Sequence, residues 1–119
     1  MSYAPVYRDA KSFLGKLITV QIDRPCGSLH PHHGFVYAVN YGFIEGIPAR
    51  DGEFLDAYVL GVTELLKCFH GRCIAVIHRT DDEDDKLVVV PDSLNLTDEQ
   101  IKDLTNFQEQ FFQSIIIRG

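Results

Sequence analysis

Polar and apolar residues alternate along Lys16-Leu17-Ile18-Thr19-Val20-Gln21-Ile22-Asp23, a pattern that predicts a half-buried strand ended by Pro25 and Gly27. The next segment, Ser28 to Gly34, sets His30, His32 and His33 around Pro31 and reads as a loop. From Phe35 to Ile44 an extended path resumes, broken and rich in aromatic residues, as expected of a pocket wall. Further strands are expected at residues 55–62, 72–79 and 86–90, the last two joined as a hairpin by an acidic turn. Thr97-Asp98-Glu99-Gln100 is a capping-box pattern, and Ile101, Leu104, Phe107, Phe111, Phe112 and Ile115 follow at helical spacing. These positions predict one amphipathic helix that packs its aromatic face on the sheet. Tyr58 and Phe54 are expected to be supporting strand residues, and His70 and His78 structural ones. Spacing alone does not distinguish a barrel from a sandwich.

The chain of 119 residues has room for one domain, 1–119, with a modest core. At 45% hydrophobic and 24% charged, its composition is that of an ordinary soluble globular protein, not a disordered one. A net charge of -6 excludes a general affinity for nucleic acid, which needs clustered Lys and Arg. Cys26, Cys68 and Cys73 show neither zinc-ligand nor redox spacing and are expected to be reduced thiols. With no leader pattern and no apolar run near the roughly 20 residues of a membrane span, the expectation is a cytoplasmic protein with no membrane partner.

The candidate chemistry lies in acid. Asp51, Glu53 and Asp56 fall within six residues, with Gly52 allowing a tight turn and strand-forming residues following Asp56. Hard divalent cations take such oxygen ligands. Taken singly, Asp51-Gly52-Glu53 is a polar turn and Asp81 to Asp85 a solvated hairpin tip with Lys86 as its counter-charge. The histidine loop is open to three readings: an imidazole metal site, a phosphate contact, or plain surface.

In order and combination these segments resemble the family I soluble inorganic pyrophosphatases. The resemblance rests on Asn40-Tyr41-Gly42-Phe43-Ile44 before Asp51-Gly52-Glu53-Phe54-Leu55-Asp56, and on Gly71 to Arg79 leading through the acidic turn into Asp84-Asp85-Lys86-Leu87-Val88-Val89-Val90-Pro91. It implies a mainly β (α+β) fold, a small closed five-stranded OB-type barrel with its active site at one mouth and a C-terminal amphipathic helix. The implied activity is Mg2+-dependent hydrolysis of pyrophosphate by metal-activated water, with Mn2+ as a substitute ion and a homo-oligomer as the assembly. By matched motifs, Asp51, Asp56, Asp81 and Asp84 would hold metal, Glu53 would accept a proton, and Tyr41 would orient the water. Lys86, Arg24, Tyr37 and His32 would bind phosphate.

Departures from the family pattern are specific. Glu53 stands where the family has Asp, Gln21 where it has a first-strand Glu, and Ile115-Ile116 where a late Tyr-Lys pair grips phosphate. The longer N-terminal hairpin with its lysine, glutamate and arginine is largely lacking. A kept metal cage with a reduced phosphate shell leaves two alternatives to pyrophosphate hydrolysis. One is cleavage of another phosphoanhydride, such as a nucleotide or organic diphosphate. The other is a non-catalytic metal- or phosphate-binding module.

Overall fold

The alternating segment becomes β1 (Leu17–Arg24), followed by β2 (Asn40–Pro48), β3 (Phe54–Val59), β4 (Cys68–Arg79), β5 (Asp85–Val90), helix α1 (Asp98–Glu109) and β6 (Ser114–Arg118). The computed structural model describes residues 9–48, 53–82 and 84–119. β1 pairs antiparallel with β2, and β2 with β3; β3 runs parallel to β5, and β5 antiparallel to β4. Pairing of Leu17 through Gln21 with Arg72 through Cys68 closes the ring. The result is the expected closed five-stranded barrel of OB type.

β4 is longer than its alternation suggests because it serves two neighbours along one edge. Its first half pairs with β1, and Ala75 through Arg79 then pair with β6. The expected helix through Ile115 is therefore corrected: α1 ends at Glu109, and Ile115-Ile116-Ile117 lie in β6. Three successive β-branched residues suit a pleated edge better than a helix interior, and β4 leaves that edge vacant.

The start of α1 is as predicted. Thr97 Oγ1 accepts from the Gln100 amide at 3.1 Å, and Gln100 Oε1 accepts from the Thr97 amide at 2.8 Å. Its packing face is partly as predicted: Ile101 is buried and Phe107 packs on Phe35, Tyr37 and Tyr58, but polar residues join them. Ile101, Thr105, Gln108 and Glu109 are buried, whereas Leu104 is partly exposed and Phe111 lies beyond the helix.

Period-two alternation sorts the strands into two cores. Leu55, Ala57 and Val59 of β3 point into the barrel with Leu87 and Val89 of β5. Tyr58 of β3 and Val88 and Val90 of β5 pack instead with Tyr37, Tyr41, Ile77 and Ile101 in a second cluster under the helix. Buried Asn40 anchors the start of β2 by donating to the carbonyls of Val62 and Glu64 at 2.8 and 3.1 Å and accepting from the Cys26 amide at 2.8 Å. Cys26, Cys68 and Cys73 are free. Among the described residues no helix is long and apolar enough to cross a membrane.

Candidate active site

Asp56 and Lys86 are in register on the parallel strands β3 and β5, so both side chains leave the same side of the sheet. That side carries the second core, which puts the cluster on the outer wall beside α1, not at the barrel mouth. Lys86 Nζ donates to Asp56 Oδ2 at 2.6 Å and lies 2.8 Å from Asp84 Oδ2. The lysine is almost wholly buried, while the carboxylates keep 33% and 21% of their side-chain surface exposed. Burial opposes the ammonium charge, but Asp56 and then Asp84 outweigh it and hold the Lys86 pKa above its ordinary value.

Tyr41 is buried on β2, with Lys86 Nζ 5.8 Å from its ring centroid. Burial, the charge of Asp56 and a hydrogen bond to that carboxylate raise its hydroxyl well above the usual tyrosine range, so Tyr41 is a fixed proton donor to Asp56. Tyr37 packs on Tyr41 with ring centroids 5.3 Å apart. Burial likewise raises the Tyr37 hydroxyl.

Arg79 is the cation that motif reading passed over. It follows Ile77 by two residues on β4 and so shares the face of the second core. Its Nε and Nη2 donate to Glu109 Oε1 and Oε2 at 3.1 and 2.8 Å, and its guanidinium lies 3.6 Å from the Phe112 ring centroid. The Tyr58 hydroxyl donates to Glu109 Oε2 at 2.5 Å and accepts from Gln108 Nε2 at 2.8 Å. Burial disfavours the Arg79 charge, yet the hydrogen bonds and charge of Glu109 raise its pKa. Nη1 turns toward Asp82 at 3.8 Å and Asp84 at 3.7 Å, beyond hydrogen-bond length.

These cations border a cavity of about 400 Å³. Arg79, Lys86 and Tyr41 contribute its polar part, and Phe35, Tyr37, Phe111 and Phe112 contribute aromatic surface.

The other sequence-predicted site residues divide. Asp51 lies outside the described residues. Glu53 is exposed just before β3 begins. Asp81 accepts from the Gln113 amide at 3.1 Å, while Asp82 faces Arg79 and accepts from the Asp84 amide at 3.0 Å. Arg24 folds back on the Asp23 carbonyl at 3.0 Å and does not line the cavity. His30 and His33 line it; His32 does not. His30 Nδ1 accepts from the amides of both His32 and His33 at 3.1 Å, which leaves Nε2 as the ring nitrogen open to another partner. Outside the cavity, His70 Nδ1 lies 2.9 Å from Thr19 Oγ1 and His78 Nδ1 lies 2.6 Å from Asp85 Oδ1.

Among the described residues, no three His, Cys, Asp or Glu side chains gather closely enough to hold an ion by themselves. The donor chemistry still fits a hard cation: Asp56 and Asp84 converge on one positive centre, both with oxygen ligands and residual exposure.

A family model described as inorganic pyrophosphatase matches residues 15–116. The chain belongs to the inorganic pyrophosphatase family. Solved pyrophosphatases share the fold. The inorganic pyrophosphatase from Ehrlichia chaffeensis is 20% identical, with 85% of this chain and 84% of that chain covered at a TM-score of 0.63. For the inorganic pyrophosphatase from Neisseria gonorrhoeae the values are 25%, 78%, 72% and 0.62. For that from Thermus thermophilus they are 19%, 97%, 87% and 0.62. No curated protein sequence matches the chain. As an inorganic pyrophosphatase family member its enzyme class is inorganic diphosphatase, and family and fold together support hydrolysis of pyrophosphate.

Ile115 and Ile116, which the resemblance sets against a late Tyr-Lys pair, are strand residues of β6. The cavity instead draws a cation from β4. Arg79 had a readable signal: a charged residue in register with buried Ile77 and Ala75 on a predicted strand.

Proposed function

We propose that this pyrophosphatase family member hydrolyses pyrophosphate to two phosphates with Mg2+ as cofactor and Mn2+ as a substitute. The observation that carries the reading is the Lys86 ammonium clamped between Asp56 and Asp84 at the polar end of the cavity. Asp56 and Asp84 would hold the ion, with Asp51 and one acid of the Asp81–Asp82 turn completing the set; the contact of Asp82 with Arg79 favours Asp82 over Asp81. When bound, a divalent ion neutralises phosphate charge and lowers the pKa of water.

The chain's own groups divide the remaining work. Lys86 releases Asp56 and turns its ammonium to a phosphate oxygen, so the charge that balances the acids becomes the charge that binds substrate. Arg79, its fork held by Glu109, donates from Nη1 to the same anion. Tyr41 keeps its proton and fixes Asp56 by hydrogen bonding. Glu53 takes the proton that water loses. Tyr37 acts at the rim, and Arg24 and His32, which lie outside the cavity lining, join it by reorienting. With this reading go a cytoplasmic location and a homo-oligomer, supported by family resemblance and checked by sedimentation.

The test is phosphate release from pyrophosphate by the purified chain in Mg2+, Mn2+ or chelator. Release that needs the ion and disappears in Asp56→Asn supports the reading. No release under any divalent ion, or full activity in Asp56→Asn, overturns it.

A further inference from the structure

The cavity is larger and more aromatic than inorganic pyrophosphate requires. That anion is small, exposes only oxygen to its surroundings and gains nothing from an apolar wall. A volume of about 400 Å³ lined by aromatic rings with a few convergent polar groups is typical of sites for organic ligands.

The wall is built from two directions. From the loop before β2, Phe35 packs on His30 and Tyr37 with centroids 4.7 and 5.6 Å apart. From the segment after α1, Phe111 stacks on Phe35 at 5.9 Å with 23° between planes. Phe111 is nevertheless 61% exposed, so one ring face is covered by Phe35 and the other is left to solvent. His30 adds no positive charge: burial and then the neighbouring His33 and His32 lower its pKa, and two backbone amides donate to its Nδ1. Its remaining N–H, on Nε2, is free to donate to a polar edge.

The cations stand at the other end. Two of the three Arg79 nitrogens are committed to Glu109, and among the described residues Nη1 has only the long approaches to Asp82 and Asp84. An anion beside Lys86 can accept from it.

We propose that this cavity takes a nucleoside diphosphate, with its anhydride at Lys86 and Arg79 and its base stacked on the solvent-facing side of Phe111. The inference rests on the preceding reading that the Asp56–Lys86–Asp84 cluster handles phosphoanhydrides with a divalent ion. A nucleoside diphosphate is pyrophosphate esterified at one end, so its anhydride occupies the same place while the nucleoside extends along the aromatic wall. In the reaction the oxygen of water bonds to the terminal phosphorus and the bridging P–O bond breaks. Its electron pair leaves on the nucleoside monophosphate, and the proton from water passes to Glu53 and then to solvent. The products are a nucleoside monophosphate and orthophosphate.

The test compares two non-hydrolysable ligands in Mg2+ by calorimetry: methylene-bridged adenosine diphosphate and methylenediphosphonate, which share the phosphate mimic and differ by the nucleoside. Base stacking on one ring predicts that the adenosine compound binds about tenfold or more tightly. That preference should fall toward parity in Phe111→Ala and return in Phe111→Trp; the exposed position lets both variants fold. Equal binding of the two ligands, or a preference untouched by Phe111→Ala, overturns the proposal. So does a dimer that Phe111→Ala dissociates without any nucleotide preference, which would make a second copy the cover of this face. Turnover assays on the same samples separate the two readings. Pyrophosphate hydrolysis without nucleotide preference sinks the base site alone. Nucleotide preference without hydrolysis of pyrophosphate or adenosine diphosphate supports the base site and sinks the hydrolase reading.

Discussion

Lys86 and Asp56 are register partners on parallel strands, and the ammonium of one lies 2.6 Å from the carboxylate of the other. Lys86 therefore competes with any other cation for Asp56. Two opposite effects follow for Lys86→Met. Mg2+ affinity should rise, because a competing and repelling positive charge is gone, while kcat/KM for pyrophosphate should fall. Calorimetric Mg2+ titration beside phosphate-release kinetics reads both, and a fall in Mg2+ affinity would contradict the arrangement.

Asp56→Asn makes the complementary case. Lys86 keeps Asp84 at 2.8 Å, so the ammonium is not stranded and stability should change little. Metal affinity should drop at least about 10- to 100-fold, since a ligating carboxylate matters no less than the outer-shell groups for which such losses are typical. Chemical denaturation and metal titration of the same variant separate the two quantities.

The Arg79–Glu109 pair ties α1 to β4 and positions the second cation. Glu109→Ala leaves a buried guanidinium whose remaining acids among the described residues are Asp82 and Asp84, at 3.8 and 3.7 Å, and should cost about 3 kcal/mol, the lower end for a broken buried pair. The double variant Arg79→Met, Glu109→Leu removes both charges and should recover much of that stability, since apolar replacements of buried pairs are often tolerated. It should not recover turnover. Urea melts of Arg79→Met, Glu109→Leu and the double give the coupling, and phosphate release shows whether Arg79 serves function beyond the fold.

Gly42 sits where β1 bulges between Ile22 and Arg24. A Cβ there would lie 1.8 Å from the Gln21 carbonyl oxygen and 2.9 Å from Ile22 Cα, both backbone atoms with no rotamer to give. Gly42→Ala should therefore part β1 from β2 and cost at least about 3 kcal/mol. It should also displace Tyr41 next to it. Denaturation of the variant, with near-ultraviolet circular dichroism for the buried tyrosines, checks both consequences.

The barrel strands were legible as runs of β-branched and apolar residues bounded by turn signals, alternating in β1 and continuous in β5, while Asp56, Lys86 and Tyr41 were singled out by motifs matched to the family. Non-local features were not. Nothing in the local pattern of Cys68 to Arg79 states that one edge is shared between β1 and β6, so the Ile115–Ile117 run read as more helix. The helix face was read only in part, since Ile101 and Phe107 do pack on the second core while the polar residues beside them were missed. Ile101, Leu104, Phe107 and Phe111 mark one stripe, whereas Ile101, Thr105, Gln108 and Glu109 mark a neighbouring stripe at equally good spacing. Apolarity favours the first, but Arg79 and Tyr58, supplied by distant strands, make burial of the polar second stripe favourable. The site's place on the outer wall follows from which side of β3 and β5 the helix covers, and that side is decided only when the barrel closes.

Cys73 offers a test of the barrel interior that is independent of the active site. It is fully buried, and burial pushes its thiol up to about 11. At pH 8 roughly one Cys73 in a thousand would be ionised even if reagent could reach it, so iodoacetamide should label exposed Cys68 first and spare Cys73 until the chain unfolds. The same shift has a sign in stability. Above the unfolded thiol pKa the unfolded chain loses a proton that the native chain keeps, so stability falls as pH rises from about 9 toward 11, by about 2–3 kcal/mol from this group. Cys73→Ala removes that contribution while its cavity lowers stability at every pH alike. Denaturation midpoints between pH 8 and 11 should therefore fall less steeply in the variant than in the parent, and parallel curves would show that Cys73 ionises as readily in the folded barrel as in the open chain.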